Sequence, residues 1–360
     1  MDRLDVNHLL KGGIITASAP CRIDMGGTLD ISTFHYPLRR FRPGTVNLAI
    51  GLRTRIDISA FTPDRIKVSS RGFDPVVADA DTAPFDHPLG LIFAVAAYFG
   101  VRGIHIRIDS ASPPRSGLGG SSVAAVALVA ALSRLGSRQN KTVLTRSRIS
   151  LLAHAIESGV ARVPCGYQDQ LAAAYGGVNA WEWRTDFRLP YRRRVLVAKR
   201  NQRRFQDQLL LAYSGVPHVS SDINGKWIRQ FLSGRCREEW KQMIGYTEQF
   251  AESLKTGDIP AAVAAMNAEV DIRRRLTPAV LDDMGERLVA AARTAGCGAR
   301  FTGAGGGGCL WALGPAPSIR QLRSTWRDLL SRRTSAGLLD HSIDSQGVRV
   351  EFKASAKPAQ

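Results

Sequence analysis

The chain has few cysteines, none of them paired at metal-binding or redox spacing, and it has no long apolar run. Its five cysteines form no Cys-x-x-Cys pair and are odd in number, so we expect neither a disulfide framework nor a structural zinc site. The longest apolar run, Val123–Leu132, is about half of what a bilayer crossing needs. The first residues lack the basic and apolar regions of a signal peptide. We therefore expect a cytoplasmic protein without a membrane partner.

Acidic residues are also scarce relative to basic ones. The 31 Asp and Glu face 49 Lys and Arg, which gives a formal net charge of +18 and favours anionic partners such as nucleic acid or phosphorylated small molecules. The densest basic segment, residues 191–205, contains Val195, Leu196 and Val197 and is typical of a strand between solvated ends. Because no zinc finger, basic zipper or RNP-like aromatic pattern accompanies it, we expect no nucleic-acid partner. Nothing indicates an oligomeric state.

A length of 360 residues favours two domains. Apolar and β-branched runs predict strands, and 3.6-residue periodicity predicts helices, in an order that begins with strands and becomes helix-rich between residues 219 and 295. The chain closes with two strand-like segments, a helix at 317–331 and a strand at 347–352. This order predicts an α+β protein with domains at residues 1–210 and 211–360.

The segment PPRSGLGGSSVAAVALVAAL, residues 113–132, joins a glycine-rich loop directly to the most apolar helix-like segment of the chain. Glycines let a backbone approach a ligand closely, and the free amides at a helix N-terminus attract anions. The pattern predicts a phosphate site whose helix is buried behind it. The alternative is an ordinary loop before a buried helix with a serine cap. No lysine follows the glycines, so this is not a Walker A loop.

A second glycine-rich segment, GAGGGG at 303–308, matches the spacing of a dinucleotide-binding fingerprint. That fingerprint requires a helix directly after it, whereas the next segment, CLWAL at 309–313, is strand-like. The pattern therefore indicates a glycine-rich turn between strands, with a backbone able to close around a ligand.

Three segments occur in one order: APCRIDMGGTLD at 19–30, PPRSGLGGSSVAA at 113–125 and ARFTGAGGGGCL at 299–310. Together they resemble the three motifs of the GHMP small-molecule kinases. The segment GYQDQLAAAYGGVNAWEW, residues 166–183, is similar to that of D-glycero-D-manno-heptose 7-phosphate kinases and related fucokinase domains. The resemblance implies a ribosomal-S5-like N-terminal domain, a ferredoxin-like C-terminal domain, and ATP with Mg²⁺ bound between them.

The resemblance also implies roles for individual residues. Asp169 matches the family's catalytic aspartate, which accepts or orients the proton of the acceptor hydroxyl, and Arg22 matches an arginine beside it. Ser121 and Glu157 match the Mg²⁺ ligands, although Gly120 stands where a serine is more usual. Without the resemblance, Asp169 and Glu157 are typical of carboxylates on helices, and Arg22 is typical of an arginine at the end of a strand.

Two further sets of residues are implied to bind ligands. The nucleotide-binding set is Pro114, Ser116, Gly117, Leu118, Gly119, Gly120, Ser121 and Ser122. The substrate-binding set is Asp30, Gly26, Gly27, Gly303, Gly305 and Gly306. From its position alone, Asp30 is equally typical of a turn after two glycines.

The resemblance implies a sugar kinase, with the anomeric hydroxyl of D-glycero-D-manno-heptose 7-phosphate as the expected acceptor. The first motif is one residue shorter than in the heptose kinases, so other acceptors stay open: L-fucose, another hexose, or a nucleoside-like or isoprenoid alcohol. A non-catalytic nucleotide-binding regulator and a basic RNA-binding protein with an S5-like domain are the alternatives of other classes.

Overall fold

The computed structural model describes residues 6–10, 13–139, 142–161, 164–185, 188–217 and 220–353. These residues contain twelve strands, which form two sheets. The strands are β1 Ile14–Met25, β2 Gly44–Ala60, β3 Arg65–Ser70, β4 Phe73–Asp79, β5 Ile104–Ser110, β6 Val178–Trp183, β7 Tyr191–Val197, β8 Leu209–Tyr213, β9 Gly298–Phe301, β10 Cys309–Leu313, β11 Gly337–Leu338 and β12 Arg349–Lys353.

The first sheet has eight strands in the order β12-β1-β2-β5-β3-β4, and β6 and β7 extend it beside the first residues of β2. All its pairs are antiparallel except that of β3 with β5. The second sheet is antiparallel, in the order β11-β8-β10-β9. Strands early and helices late confirm the predicted α+β class.

Helices cover both sheets. They are α1 Val6–Leu10, α2 Ser32–His35, α3 Gly90–Tyr98, α4 Gly120–Gly136, α5 Arg146–Val160, α6 Gln168–Tyr175, α7 Gln202–Phe205, α8 Ser220–Leu232, α9 Arg237–Thr256, α10 Ile259–Leu276, α11 Asp283–Thr294 and α12 Ala316–Leu330. Short 3₁₀ turns lie at 39–41, 137–139, 199–201, 206–208 and 278–280.

Helix α4 is the apolar segment that follows the glycine-rich loop. It packs on β1, β2, α5 and α6, and residues 123–132 are buried on every side. By length and composition, Gly120–Gln139 could cross a membrane, but 78% of its most hydrophobic window is buried inside the molecule. It is therefore packed as a core helix.

The two halves of the chain share their cores. One apolar core combines Ile23 of β1 with Trp311 of β10, and the other places the Phe34 ring 4.1 Å from the Trp240 ring of α9. Burial of side chains from both halves fixes the sheets against each other, which is what a site between them requires.

The structure differs from the sequence-based prediction at the end of the chain. Strand β12, predicted as part of a domain at 211–360, pairs antiparallel with β1 through Ile14–Ser18. The closing strand therefore lies in the first sheet. The boundary between residues 210 and 211 stays a prediction, although β8, the first strand of the second sheet, starts at Leu209.

Candidate active site

A cavity of about 620 Å³ lies where β1, the N-termini of α4 and α6, and the turn after β9 meet. Arg22, Asp30, Glu157, Asp169 and Gly303 all line it, together with the whole of the loop 112–122. The structure thus brings residues of all three sequence motifs to one wall, as the resemblance implies.

Arg22 and Asp169 form the centre of this wall. The Arg22 Nε atom donates to Asp169 Oδ1 at 2.7 Å, and Nη1 donates to the Gly117 carbonyl at 2.5 Å. Arg22 is 4% exposed. Burial alone disfavours its charge, but the carboxylates of Asp169 and Asp24 raise the pKa of Arg22, so the side chain stays cationic.

The glycine-rich loop has the geometry of an anion cradle. Gly117 and Gly119 have φ angles of 73° and 80°, which L side chains rarely adopt. A Cβ at Gly119 would lie 3.0 Å from the Asp169 Cγ atom. Gly119 is also the residue that precedes α4, and no side chain caps that helix. The serine cap considered above is therefore not formed, and the first helical amides face the cavity without an intrahelical acceptor.

The rest of the predicted nucleotide-binding set lines the same cavity, including Pro114 and Gly120. Two backbone bonds fix the loop, because the Leu118 carbonyl accepts from the Arg22 amide at 3.3 Å and the Ser116 carbonyl accepts from the Cys309 amide at 2.8 Å. The loop is thereby tied to both sheets.

Glu157 lies at this wall with Ser122 rather than with Ser121. The Ser122 hydroxyl donates to Glu157 Oε1 at 2.9 Å, and Gln170 Nε2 donates to Oε2 at 2.6 Å. Ser121 is exposed at the cavity rim. Burial raises the pKa of Glu157 to about 7. A carboxylate and two hydroxyls are donors that suit Mg²⁺, and the described residues contain no cluster of three or more acidic, His or Cys ligands.

Asp30 also lines the cavity and is 2% exposed. Its Oδ2 accepts from the Gln168 amide at 3.0 Å, while Oδ1 has no hydrogen-bond partner among the described residues. Burial raises the pKa of Asp30 to about 7. A Cβ at Gly166 would lie 1.8 Å from Asp30 Oδ2, so this glycine makes room for the carboxylate.

The other glycines of the substrate-binding set divide into two groups. Gly303 lines the cavity, and its amide donates to Asp24 Oδ1 at 2.7 Å. Gly26, Gly27, Gly305 and Gly306 are not part of the wall; a Cβ on each would lie 2.3–2.6 Å from another protein atom. Their substrate-binding role stays a prediction, and the contacts that they make are packing contacts.

Sequence reasoning missed a buried ionic network behind the wall. Asp24 faces Arg22 Nη1 at 3.3 Å and Arg300 Nη1 at 3.0 Å. Glu269 of α10 accepts from Arg300 Nε at 3.0 Å and from Arg273 Nε at 2.8 Å. One signal was present, since Arg22 and Asp24 are the two charged residues of β1 and lie two positions apart, on one face of the strand.

Sequence reasoning also missed a second part of the cavity lining. Its lining includes Arg71, Gly72 and Phe73 of the β3–β4 hairpin and Leu89 and Ile92 at the start of α3. The hairpin was not predicted, because polar residues interrupt its apolar ones and one face of it is exposed.

Parts of the chain are similar in sequence to known proteins. Residues 87–177 match the family model described as GHMP kinases N terminal domain. A mevalonate kinase of Thermococcus onnurineus is 30% identical over 225 residues, and one of Thermococcus gammatolerans is 29% identical over 228 residues. Each match covers 59% of this chain and 60% of the relative, so the chain spans about 60% of the length of these curated relatives.

Solved structures match over nearly the whole chain. A putative sugar kinase from Campylobacter jejuni has a TM-score of 0.70 at 19% identity and covers 94% of this chain and 98% of its own. Lactococcus lactis galactokinase complexed with galactose has a TM-score of 0.72 at 16% identity, over 93% and 95%. A D-glycero-D-manno-heptose 1-phosphate kinase from Bacteriodes thetaiotaomicron has a TM-score of 0.68 at 16% identity. That match covers 94% of this chain and 98% of its own.

The fold is therefore that of the GHMP kinases, which confirms the predicted fold. The family model and the structural neighbours support the superfamily that the three motifs indicate. The heptose kinase is one neighbour among several, and the curated relatives are named mevalonate kinases.

Proposed function

We propose that the protein is a kinase that transfers the γ-phosphate of ATP to a hydroxyl group of a small-molecule alcohol. The observation that carries this proposal is the Arg22–Asp169 pair beside the uncapped N-terminus of α4, in one cavity. Phosphoryl transfer needs an anion site, a charge-neutralising cation and a group that orients the attacking hydroxyl, and this wall offers all three.

The cavity suits a nucleotide at one end. The loop Gly117–Gly119 and the first amides of α4 would bind the phosphates, and the apolar side chains of Phe73, Leu89 and Ile92 would pack against the base. Glu157 and the hydroxyls of Ser121 and Ser122 would hold Mg²⁺. When bound, Mg²⁺ neutralises charge on the phosphates.

Asp169 would act on the acceptor. The acceptor oxygen bonds to the γ-phosphorus as the bond to ADP breaks and ADP leaves. The proton of the acceptor hydroxyl passes to the Asp169 carboxylate. The Arg22 guanidinium at 2.7 Å holds Asp169 in place and offsets negative charge on the transferred group.

We place the acceptor end of the cavity at Asp30, and an uncharged, hydroxyl-rich alcohol fits it better than a phosphorylated one. Asp30 Oδ1 and Asn224 Oδ1 are buried oxygens without a partner among the described residues, and hydroxyl groups would supply donors. Of the cations that line the described cavity, Arg71 and Arg115 are exposed, one on the β3–β4 hairpin and one in the glycine-rich loop, and Arg22 is already paired. We therefore place a hexose such as L-fucose or galactose before the heptose 7-phosphate.

The test is a turnover panel with MgATP. The acceptors are L-fucose, galactose, mannose, D-glycero-D-manno-heptose 7-phosphate, mevalonate and homoserine, with ADP release followed and the product identified by phosphorus NMR. Asp169→Asn is run beside Asp64→Asn, an exposed carboxylate outside the cavity that pairs with Arg102. We expect turnover to fall about 100-fold or more in Asp169→Asn, in line with loss of general-base catalysis, and to stay at the wild-type level in Asp64→Asn.

The outcomes separate the alternatives. If only the heptose 7-phosphate or mevalonate is turned over, the proposed kinase activity stands and the proposal of an uncharged acceptor is overturned. Tight ATP binding without turnover of any acceptor would favour the non-catalytic regulator. Equal turnover by Asp169→Asn and wild type would overturn the role of Asp169.

A further inference from the structure

The turn between Gly26 and Leu29 has a strained backbone beside the acceptor end of the cavity. Thr28 has a φ angle of 80°, in the left-handed region that β-branched residues rarely adopt. Thr28 is 4% exposed and lines the cavity. A strained residue at such a place persists only when its surroundings hold it.

Arg273 of α10 contacts this turn. Its Nη2 donates to the Gly27 carbonyl at 2.7 Å, and Nη1 lies 3.4 Å from the Thr28 hydroxyl, which accepts. These two contacts fall on the strained residue and the one before it. They are made from the second half of the chain, 245 residues away in sequence.

Arg273 is itself fixed on every side. Its Nε donates to Glu269 at 2.8 Å, and its guanidinium lies 4.7 Å from the Trp227 ring and 5.1 Å from the Trp240 ring. It is fully buried. Because Glu269 and two aromatic rings hold this guanidinium, it offers the turn hydrogen-bond donors at defined positions.

The turn leads directly to the acceptor carboxylate. The Ile31 amide donates to the Thr28 carbonyl at 3.0 Å, which closes a second turn around Asp30. The position of Asp30 Oδ1 at the cavity wall therefore depends on the backbone angles of Thr28.

We propose that Arg273 is a positioning residue for the acceptor: it holds the strained turn at Thr28 and thereby sets Asp30 against the acceptor hydroxyls. The inference rests on the proposed kinase function. It assigns Arg273 no contact with the nucleotide.

The experiment compares Arg273→Lys with Arg274→Lys, using ATP and the acceptor that the panel identifies. Arg274 is the next residue on α10 and pairs with Glu286 and Asp271, away from the cavity. Arg273→Lys keeps the charge but loses the forked geometry. We expect kcat/KM for the acceptor to fall about 10-fold or more, mainly through KM, because small displacements in a site are costly. KM for ATP stays unchanged, and Arg274→Lys behaves as wild type.

A second variant separates this role from general stability. Thr28→Gly removes the strain, because glycine adopts a positive φ freely. In the Thr28→Gly background we expect Arg273→Lys to cost less acceptor kcat/KM than it costs in the wild-type background. Melting temperatures of all four proteins establish that each is folded at the assay temperature.

Each result decides the matter. A KM for ATP that rises as much as that for the acceptor, or losses that multiply independently in the double variant, would overturn the positioning role alone. An unfolded Arg273→Lys leaves Thr28→Ala as the decisive variant; because alanine keeps the strain and loses the hydroxyl contact, an unchanged acceptor KM would overturn the proposal. A wild-type protein without turnover would overturn the kinase function first, and this inference with it.

Discussion

Gly119 is the residue at which the glycine-rich loop and the proposed catalytic carboxylate meet. Its φ angle of 80° and the 3.0 Å separation between a built Cβ and Asp169 Cγ are two independent reasons for glycine. We expect Gly119→Ala to reduce kcat about 100-fold, because the methyl group displaces Asp169 from its hydrogen bond with Arg22. Steady-state kinetics check this.

Gly257 provides the matched control. It has the same φ of 80°, but no atom lies within 4 Å of a built Cβ. Gly257→Ala should share the backbone cost of about 1–2 kcal/mol in the free energy of unfolding and keep full activity. If both variants lose activity equally, the contact with Asp169 is not the cause.

Asp30 makes stability depend on pH. Burial raises its pKa from an ordinary 3.8 to about 7, so between these values the folded protein binds a proton that the unfolded chain does not. The free energy of unfolding therefore falls as pH rises from about 4 to about 7. At pH 8 we expect the free energy of unfolding of Asp30→Asn to exceed that of the wild type by on the order of 1–4 kcal/mol. At pH 4 we expect the two free energies to be equal.

Urea unfolding of both proteins at pH 4, 6 and 8 measures this effect. A difference between wild type and Asp30→Asn that does not change with pH would contradict it. The comparison of the two proteins removes the contribution of Glu157, which titrates in the same range.

At the scale of elements, β12 protects the edge of β1, the strand that carries Arg22 and Asp24. It pairs with Ile14–Ser18 through five residues, and the Arg138 guanidinium lies 3.7 Å from the Phe352 ring. Removal of residues 349–360 would leave an unpaired edge, which favours aggregation. We expect a loss of about 2–5 kcal/mol, at about 1 kcal/mol for each backbone hydrogen bond, and more light scattering on heating.

A chain that ends at Lys353 keeps all of β12 and is the control. If the two truncated chains melt at the same temperature, pairing with β12 contributes nothing to stability.

Sequence reasoning succeeded for elements whose apolar pattern is local. Helix α4 follows the glycine-rich loop and strand β10 covers residues 309–313, as the sequence pattern predicts. It failed for the β3–β4 hairpin, in which Val68 is the last buried apolar residue before an exposed turn. The sequence also does not show that β12 pairs with β1, because strand partners are not encoded in the strand's own residues.

At the scale of the whole molecule, the ionic network joins the two sheets. Three acids, Asp24, Asp169 and Glu269, face three arginines, and all but Asp169 are buried. Its charges balance, so the surplus of +18 lies elsewhere. The motifs predicted Arg22 and Asp169, but not the rest, since Glu269 and Arg300 become neighbours only when α10 packs on β9.

We expect Glu269→Gln to lower the free energy of unfolding by about 3–5 kcal/mol, because it leaves Arg273 and Arg300 buried without their shared counter-charge. Glu286→Gln, which breaks the part-exposed pair with Arg274, should cost about 1 kcal/mol or less. Urea unfolding measures both. Similar losses would mean that the buried network adds no more than a surface pair.

Helix α4 contains two groups of backbone amides that exchange hydrogen at different rates. Amides of residues 123–132 lie in a core with no access to solvent, and they exchange only when the molecule as a whole opens. Amides of Gly120, Ser121 and Ser122 have no acceptor within the helix and face the cavity. A bound phosphate would therefore register as deuterium uptake that slows at three residues and at no others in the helix.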